Sequence, residues 1–282
     1  MARIIGSPSR YIQGKGTLAE ITKYTERLGK KLLILVSKSG KKRVEEKINK
    51  AVEGTDTTVV WEIFNGECSK SEVNRIGENL KKEKCDIVVG IGGGKILDTA
   101  KAVAYYEDIA VVCVPTAAST DAPCSALSVL YTDDGQFDEY LWLPANPDII
   151  LLDTDIIVAA PVRLIVSGMG DALATYFETR ACMRSNTTSC MGGSVSKTAM
   201  ALSELCFKTL MEDGAKALLA VNAGACTPAV ENIIEANTYL SGIGFESGGI
   251  AAAHAIHNGL TCIEETHGMY HGEKVAFGVL SQ

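Results

Sequence analysis

Gly90-Ile91-Gly92-Gly93-Gly94 sets four glycines in five positions, and Lys95 and the helix-forming run Ile96-Leu97-Asp98-Thr99-Ala100-Lys101 follow at once. Closely spaced glycines let a backbone approach a phosphate, and a helix N-terminus adds unpaired N–H groups and partial positive charge. That is pyrophosphate-binding chemistry. It matches neither common fingerprint, because G-x-G-x-x-G needs glycine where Lys95 stands and the P-loop spacing needs it where Val89 stands. The alternative is a simple turn, which calls for fewer glycines. A second small-residue loop, Pro115 to Ser125, holds the hydroxyls of Thr116, Ser119, Thr120 and Ser125 and a single acid, Asp121. Ligands of parallel sheets bind beyond the carboxyl ends of strands, so this loop is a second candidate, although a loop acid also caps turns.

All four histidines, His254, His257, His267 and His271, crowd into one short stretch near the end of the chain. Their spacing does not say which of them bind a metal. A metal site would also need a carboxylate from elsewhere. Asp171 is a candidate, because it stands in the small and apolar run Ser167 to Leu173, where an acid is costly without a partner. It reads equally well as a helix N-cap.

A phosphate loop of this kind needs a strand before it and a helix after it, and the first half of the chain supplies both in alternation. Leu32 to Val36, Val59 to Phe64, Asp86 to Gly90, Ile109 to Pro115 and Ile149 to Leu152 read as short buried strands. Between them Leu18, Ile21, Thr25 and Leu28 share a helix face, as do Val44, Ile48 and Val52, and Val73, Ile76 and Leu80. Ser69-x-x-Glu72 reads as a capping box at the start of the third helix. Asp133-Asp134-Gly135, between Ser128 to Tyr131 and Gln136 to Trp142, predicts a β-hairpin. Beyond about residue 160 the strand runs cease. Val195, Ala199, Leu202, Cys206 and Leu210 form a helical stripe, and Thr227-Pro228 reads as a cap and first turn. The expected architecture is an α/β domain with a Rossmann-like parallel sheet over residues 1–160, then an all-α domain over 161–282, divided near Ala160-Pro161.

Bulk composition narrows the function classes. A chain of 282 residues exceeds the roughly 250 at which single cores tend to divide. No apolar stretch reaches the ~20 residues of a membrane span, and the N-terminus lacks the pattern of a secretion signal, so a cytoplasmic protein is expected. Nine scattered cysteines without C-x-x-C argue against a disulfide framework. A formal charge of −7 with no dense basic stripe argues against nucleic acid, and Lys41-Lys42-Arg43 reads as a solvated helix start.

Five ordered blocks resemble the glycerol dehydrogenase family of the iron-type, metal-dependent alcohol dehydrogenase superfamily, which includes dehydroquinate synthase-like relatives. The blocks are Gly92 to Lys101, Ala118 to Ser128, Gly170 to Thr175, Phe245 to Gly249 and His271 to Ala276. The resemblance spans essentially the whole chain. It implies a dinucleotide-binding first domain and a helical, metal-binding second domain. The implied metal ligands are Asp171, His254 and His271, with His257 and His267 as neighbours, and Thr175 stands where the wider superfamily carries a further histidine. Three ligands and an open position suit catalytic Zn2+. Asp121, with those three residues, is implied to meet glycerol or another small polyol. Gly92, Gly93, Gly94, Lys95, Asp98, Thr116 and Ser119 are implied to hold NAD, with Ser125, Leu127 and Tyr131 at its nicotinamide end.

The implied reaction is hydride transfer from glycerol to NAD, giving dihydroxyacetone, in a homo-oligomer. Two departures stand out. Family members commonly carry an acid at the end of the first strand, where this chain has Ser37 beside Lys38, so NADP is expected to be tolerated. Family members also continue with further helices beyond Gln282, so the chain reads as C-terminally truncated. Two alternatives follow: an impaired nucleotide-binding remnant, or a superfamily relative acting on another polyol. A phosphorylated or cyclic substrate would call for more cationic groups than Lys95 alone.

Overall fold

The chain, described over residues 1–282 by a computed structural model, groups into two units. Pro8–Thr116 and Ala126–Ile157 form one unit, which carries the eight strands. Its elements are β1 (Arg10–Gly14), α1 (Ile21–Thr25), β2 (Lys31–Val36), α2 (Lys38–Val52), β3 (Thr58–Ile63), α3 (Lys70–Glu83), β4 (Ile87–Gly92), α4 (Gly94–Glu107), β5 (Ala110–Pro115), β6 (Leu127–Tyr131), β7 (Phe137–Trp142), β8 (Ile149–Asp153) and α5 (Thr154–Val158). Six strands build one parallel sheet in the order β1-β8-β5-β4-β2-β3. The all-apolar runs occupy its middle. β4 and β8 are buried along their whole lengths, as strands covered on both faces must be. Leu32, Ile34, Val36, Ile87, Val89, Val112, Val114 and Leu151 pack there with Leu18, Ile21, Val44 and Ile48 from the flanking helices. Each such side chain contributes roughly 1.5–3 kcal/mol by leaving water.

The five predicted strands are present within two residues of their expected ends. β1 is the one the pattern hides. Its sequence Arg-Tyr-Ile-Gln-Gly is half-exposed at the sheet edge and has no apolar run. β6 and β7 form the predicted hairpin, antiparallel and bulged between Leu130 and Tyr131. The capping box at Ser69 is half made. Ser69 Oγ accepts the Glu72 N–H at 3.3 Å, but the Glu72 carboxylate binds Asn65 and Arg75 instead of reaching back.

The other unit comprises Met1–Ser7, Ala117–Ser125 and Val158–Gln282. The sequence boundary at 160–161 therefore falls beside one of several divisions, and the loop bearing Asp121 groups with the helices. These are α6 (Val162–Ser185), α7 (Lys197–Asn222), α8 (Pro228–Glu235), α9 (Ser241–Gly248), α10 (Ala252–Leu260) and α11 (His271–Ser281), with a π-helical turn, Ala236–Leu240, joining α8 to α9. Pro161 stands at the N-cap of α6, as expected of a residue that cannot continue a helix backwards. The buried face of α7 runs through Ala199, Ser203, Cys206 and Leu210, so Ser203 replaces the predicted Leu202, and Val195 precedes the helix. The interior here mixes apolar side chains such as Ile165, Ile233, Ile234 and Ile243 with many small and hydroxyl ones. Ala174, Ala253 and Val275 meet where α6, α10 and α11 converge. No helix is long and apolar enough to cross a membrane.

Candidate metal centre and cofactor loop

Asp171 is not a helix cap. It lies in the middle of α6, on a buried face that continues one turn at a time through Thr175, Glu178 and Cys182. Close helix approach brings the histidines to it. A Cβ added at Gly272 would lie 1.8 Å from the Ser167 carbonyl oxygen, so only glycine lets the start of α11 rest on α6. The Gly272 N–H donates to Ser167 Oγ at 3.2 Å, which fixes the contact.

His271 Nε2 then lies 3.0 Å from Asp171 Oδ1, and His254 Nε2, from α10, lies 3.6 Å from the same atom. One ligand atom from each of the three residues falls within 4.8 Å of the others. Neither contact has hydrogen-bond geometry, and Asp171 Oδ1, fully buried, accepts no hydrogen bond. An orphaned carboxylate oxygen facing two imidazole nitrogens is a set of lone-pair donors around a common centre, and it fits a divalent cation with nitrogen and oxygen ligands.

The electrostatics agree. Burial works against the charged form of each group. The His271 and His254 rings nevertheless hold the Asp171 carboxyl well below the usual range. Asp171 and Glu178 likewise outweigh burial at His254 and raise it to about 10. His257 is lowered to about 4 by burial and by the charge on His271; its Nε2 lies 2.9 Å from His271 Nδ1. His267 takes no part, with Nε2 directed at the Thr261 carbonyl at 3.1 Å.

Asp121 joins this group. Its backbone N–H donates to Asp171 Oδ2 at 3.3 Å, and its side chain, 7% exposed, accepts the Ser241 hydroxyl on Oδ2 at 2.7 Å. Ser241 Oγ lies 2.7 Å from Thr175 Oγ1 in turn. Burial, then the Asp171 charge, pushes Asp121 up to about 7. Ser241 and Glu178 are the two members that the sequence reading misses. Glu178 had a signal: an acid seven residues after Asp171 on the same face of an interior helix.

The glycine loop leaves the sheet where its order turns. β2 leads outward to β3 while β4 leads the other way to β5, so the carboxyl ends of β2 and β4 flank a topological switch point. Gly93 is the N-cap of α4, without a side-chain cap. A Cβ at Gly93 or Gly94 would meet nothing within 4 Å, and neither has positive φ. Neither packing nor backbone conformation demands glycine at these two positions, whereas an anion resting on the helix N-terminus would.

Lys95 Nζ reaches Glu67 Oε2 at 2.6 Å and stands 5.3 Å from the Tyr131 ring centre. Burial, ahead of the nearby acids, pushes the Tyr131 phenol up to about 12. Thr116 N–H binds the Gly92 carbonyl at 3.1 Å. Ser37, at the end of β2, is the N-cap of α2 and accepts the Gly40 N–H at 3.0 Å. Asp98 is buried inside α4 and binds Lys101 at 2.9 Å and the Val129 N–H at 3.2 Å, which ties helix to hairpin. Lys101 Nζ also donates to the Leu127 carbonyl. In the other unit, the Ser119 carbonyl accepts the Ser167 hydroxyl of α6 at 3.5 Å, and the Ser125 hydroxyl donates locally to the Ala122 carbonyl at 3.0 Å.

Comparison with known proteins points the same way. The family model for iron-containing alcohol dehydrogenase matches residues 8–154. A glycerol dehydrogenase of Escherichia coli O6:H1 is 51% identical over the whole of this chain and 77% of its own length. The crystal structure of glycerol dehydrogenase from Schizosaccharomyces pombe superposes with a TM-score of 0.93 at 41% identity, covering 99% of this chain and 71% of that one. That of a probable glycerol dehydrogenase from Sinorhizobium meliloti gives 0.91 at 46% identity, covering 99% and 77%.

Proposed function

The chain belongs to the iron-containing alcohol dehydrogenase family, and from that premise we propose that it is an NAD-dependent glycerol dehydrogenase working with a zinc ion. It converts glycerol to dihydroxyacetone and accepts related small vicinal diols. The observation that carries this reading is the convergence of Asp171, His254 and His271 on one buried point, with Asp171 Oδ1 left without a hydrogen bond. Three nitrogen and oxygen donors suit zinc with a position open for substrate.

Bound zinc supplies Lewis acidity toward a substrate hydroxyl, and bound NAD supplies the hydride acceptor. The chain supplies alignment. Asp171, His254 and His271 hold the ion. Asp121, held by Ser241 through Oδ2, keeps Oδ1 for a polyol hydroxyl and so orients the substrate. Gly92, Gly93 and Gly94 with the N-terminus of α4 hold the pyrophosphate, helped by Lys95 and Thr116. Ser119, Ser125, Leu127 and Tyr131 belong to the rest of the cofactor site in this reading, and Ser37 to its adenosine end. Asp98 acts by fixing α4 against the hairpin. On this view the unit built on the sheet holds the pyrophosphate, and the helical unit binds metal and substrate. A homo-oligomer in the cytoplasm completes the reading, and the molar mass in solution tests the first of these terms.

The decisive experiment follows NAD reduction at 340 nm with glycerol, before and after chelation and zinc restoration. Activity lost to chelator and regained with zinc is the expected result. Turnover indifferent to chelator would remove the metal from the proposal.

A further inference from the structure

His254 rides on α10, whose first turn has no cap of its own. Ala251 stands at the N-cap and His254 itself at the third helical position, so neither offers the side chain that a capping box needs. Both bonds are supplied from another helix. Glu178 Oε1 accepts the Ala251 N–H at 2.8 Å and the His254 N–H at 3.0 Å. The other oxygen, Oε2, lies 2.6 Å from His254 Nδ1. Glu178 is fully buried, and His254 is its only ion-pair partner. A buried carboxylate costs several kcal/mol unless such bonds repay it.

Resting on the metal reading above, we propose that Glu178 is the positioning residue of the centre, fixing with one carboxylate both the helix that carries His254 and the proton on its ring. An ionised carboxylate is an acceptor at both oxygens. Opposite Nδ1 it requires that nitrogen to carry the proton, which leaves the Nε2 lone pair facing Asp171 and the metal. The two oxygens therefore couple ring tautomer to helix position, and His254 can neither rotate nor shift along α10 without breaking the set. A partner of this kind on a ligating histidine raises metal affinity.

The full chain with Glu178→Gln tests this. Glutamine has an acceptor at one end only. Keeping the two backbone bonds loses less than keeping the one to the ring, so the amide nitrogen turns toward Nδ1. The ring proton must then move to Nε2, where it blocks the metal. Zinc affinity, measured by competition with a chromogenic chelator, is expected to fall about 10–100-fold, while the melting temperature of the metal-free protein stays near that of the unaltered chain. Unchanged zinc affinity overturns the proposal, whether or not the melting temperature falls, because Glu178 would then be a helix cap alone.

A second measurement needs no variant. In zinc-loaded protein with 15N-labelled histidine, His254 is expected to carry its proton on Nδ1. A metal bond at Nδ1 would overturn the inference. An unaltered chain that binds no zinc would strike the metal reading first and the role of Glu178 with it, and so is distinguishable from a Glu178→Gln variant that binds normally.

Discussion

The two candidate sites are built from opposite materials. The phosphate loop is backbone: two glycines with open space around them and an uncapped helix end, at the carboxyl end of an interior strand in a sheet whose stability comes from apolar burial. The metal centre is side chains: Asp121, Asp171 and Glu178 are buried acids, with the buried hydroxyl residues Ser167, Thr175 and Ser241 in the same unit. The first can stand ready without its ligand. The second concentrates negative charge where desolvation is costly, so its stability should depend on the cation that answers that charge.

Zinc withdrawal is the strongest way to break this contrast. A ligand held at about 1,000 times its Kd stabilises the native state by roughly 4 kcal/mol, or about a thousandfold in an opening equilibrium. Amide exchange after chelation is therefore expected to accelerate by up to about that factor in α10, α11 and the middle of α6, and hardly at all in β4 and β5. Equal acceleration in sheet and helices would show that the buried acids are not the weak point.

The next effect belongs to the substrate side of the same charged cluster. Ser241→Ala removes a hydrogen bond to the Asp121 carboxylate, and bonds to charged groups are worth about 1.5–3 kcal/mol. A tenfold change corresponds to about 1.4 kcal/mol. The efficiency with glycerol is expected to fall between ten- and a hundredfold, while KM for NAD holds. Asp121→Ala should do at least as much damage with the same split. Loss of NAD binding in either variant would contradict the division of labour.

The contrast also explains what could be read from the chain. The phosphate loop is local: strand, glycines and helix follow within about a dozen residues, so spacing alone announces it. The centre draws on positions 121, 171, 178, 254 and 271, and no periodicity connects them. His254, His257, His267 and His271 looked alike in sequence; the resemblance to a known family distinguished the ligands, and packing at Gly272 shows how one of them arrives. Glu178 and Ser241 act through three-dimensional partners, so their chemistry appears only when α6 meets α10 and α9 meets the Asp121 loop. At the fold level β1 escaped notice because edge strands need no apolar run. Ser37 and Asp98, assigned to the cofactor through the resemblance, turn out to hold a helix cap and a helix-to-hairpin tie as well.

On the backbone-built side, Gly94→Val fills the open space without straining the chain, since Gly94 has ordinary φ and no neighbour near its Cβ direction. Folding and zinc content are expected to survive. KM for NAD should rise about tenfold, equivalent to about 1.4 kcal/mol of lost binding. An unchanged KM would mean that the phosphates do not rest there.

Ser37 gives the smallest and most selective test. Its position at the carboxyl end of β2, beside the switch point, is where an acid would accept hydrogen bonds from the adenosine ribose and repel a 2′-phosphate. Serine does neither strongly, and Lys38 adds positive charge next to it, so the unaltered protein should use NADP measurably. Ser37→Asp leaves the fold a good cap, because aspartate accepts the Gly40 N–H as readily as serine does. The ratio of efficiencies with NAD and NADP is then expected to rise by about twofold to fivefold, since each 1.4 kcal/mol is tenfold and a partly exposed charge contributes at most about 1 kcal/mol. Glycerol KM and zinc affinity should not move. A ratio that stays fixed would place the adenosine elsewhere along the sheet edge and leave Ser37 as a helix cap only.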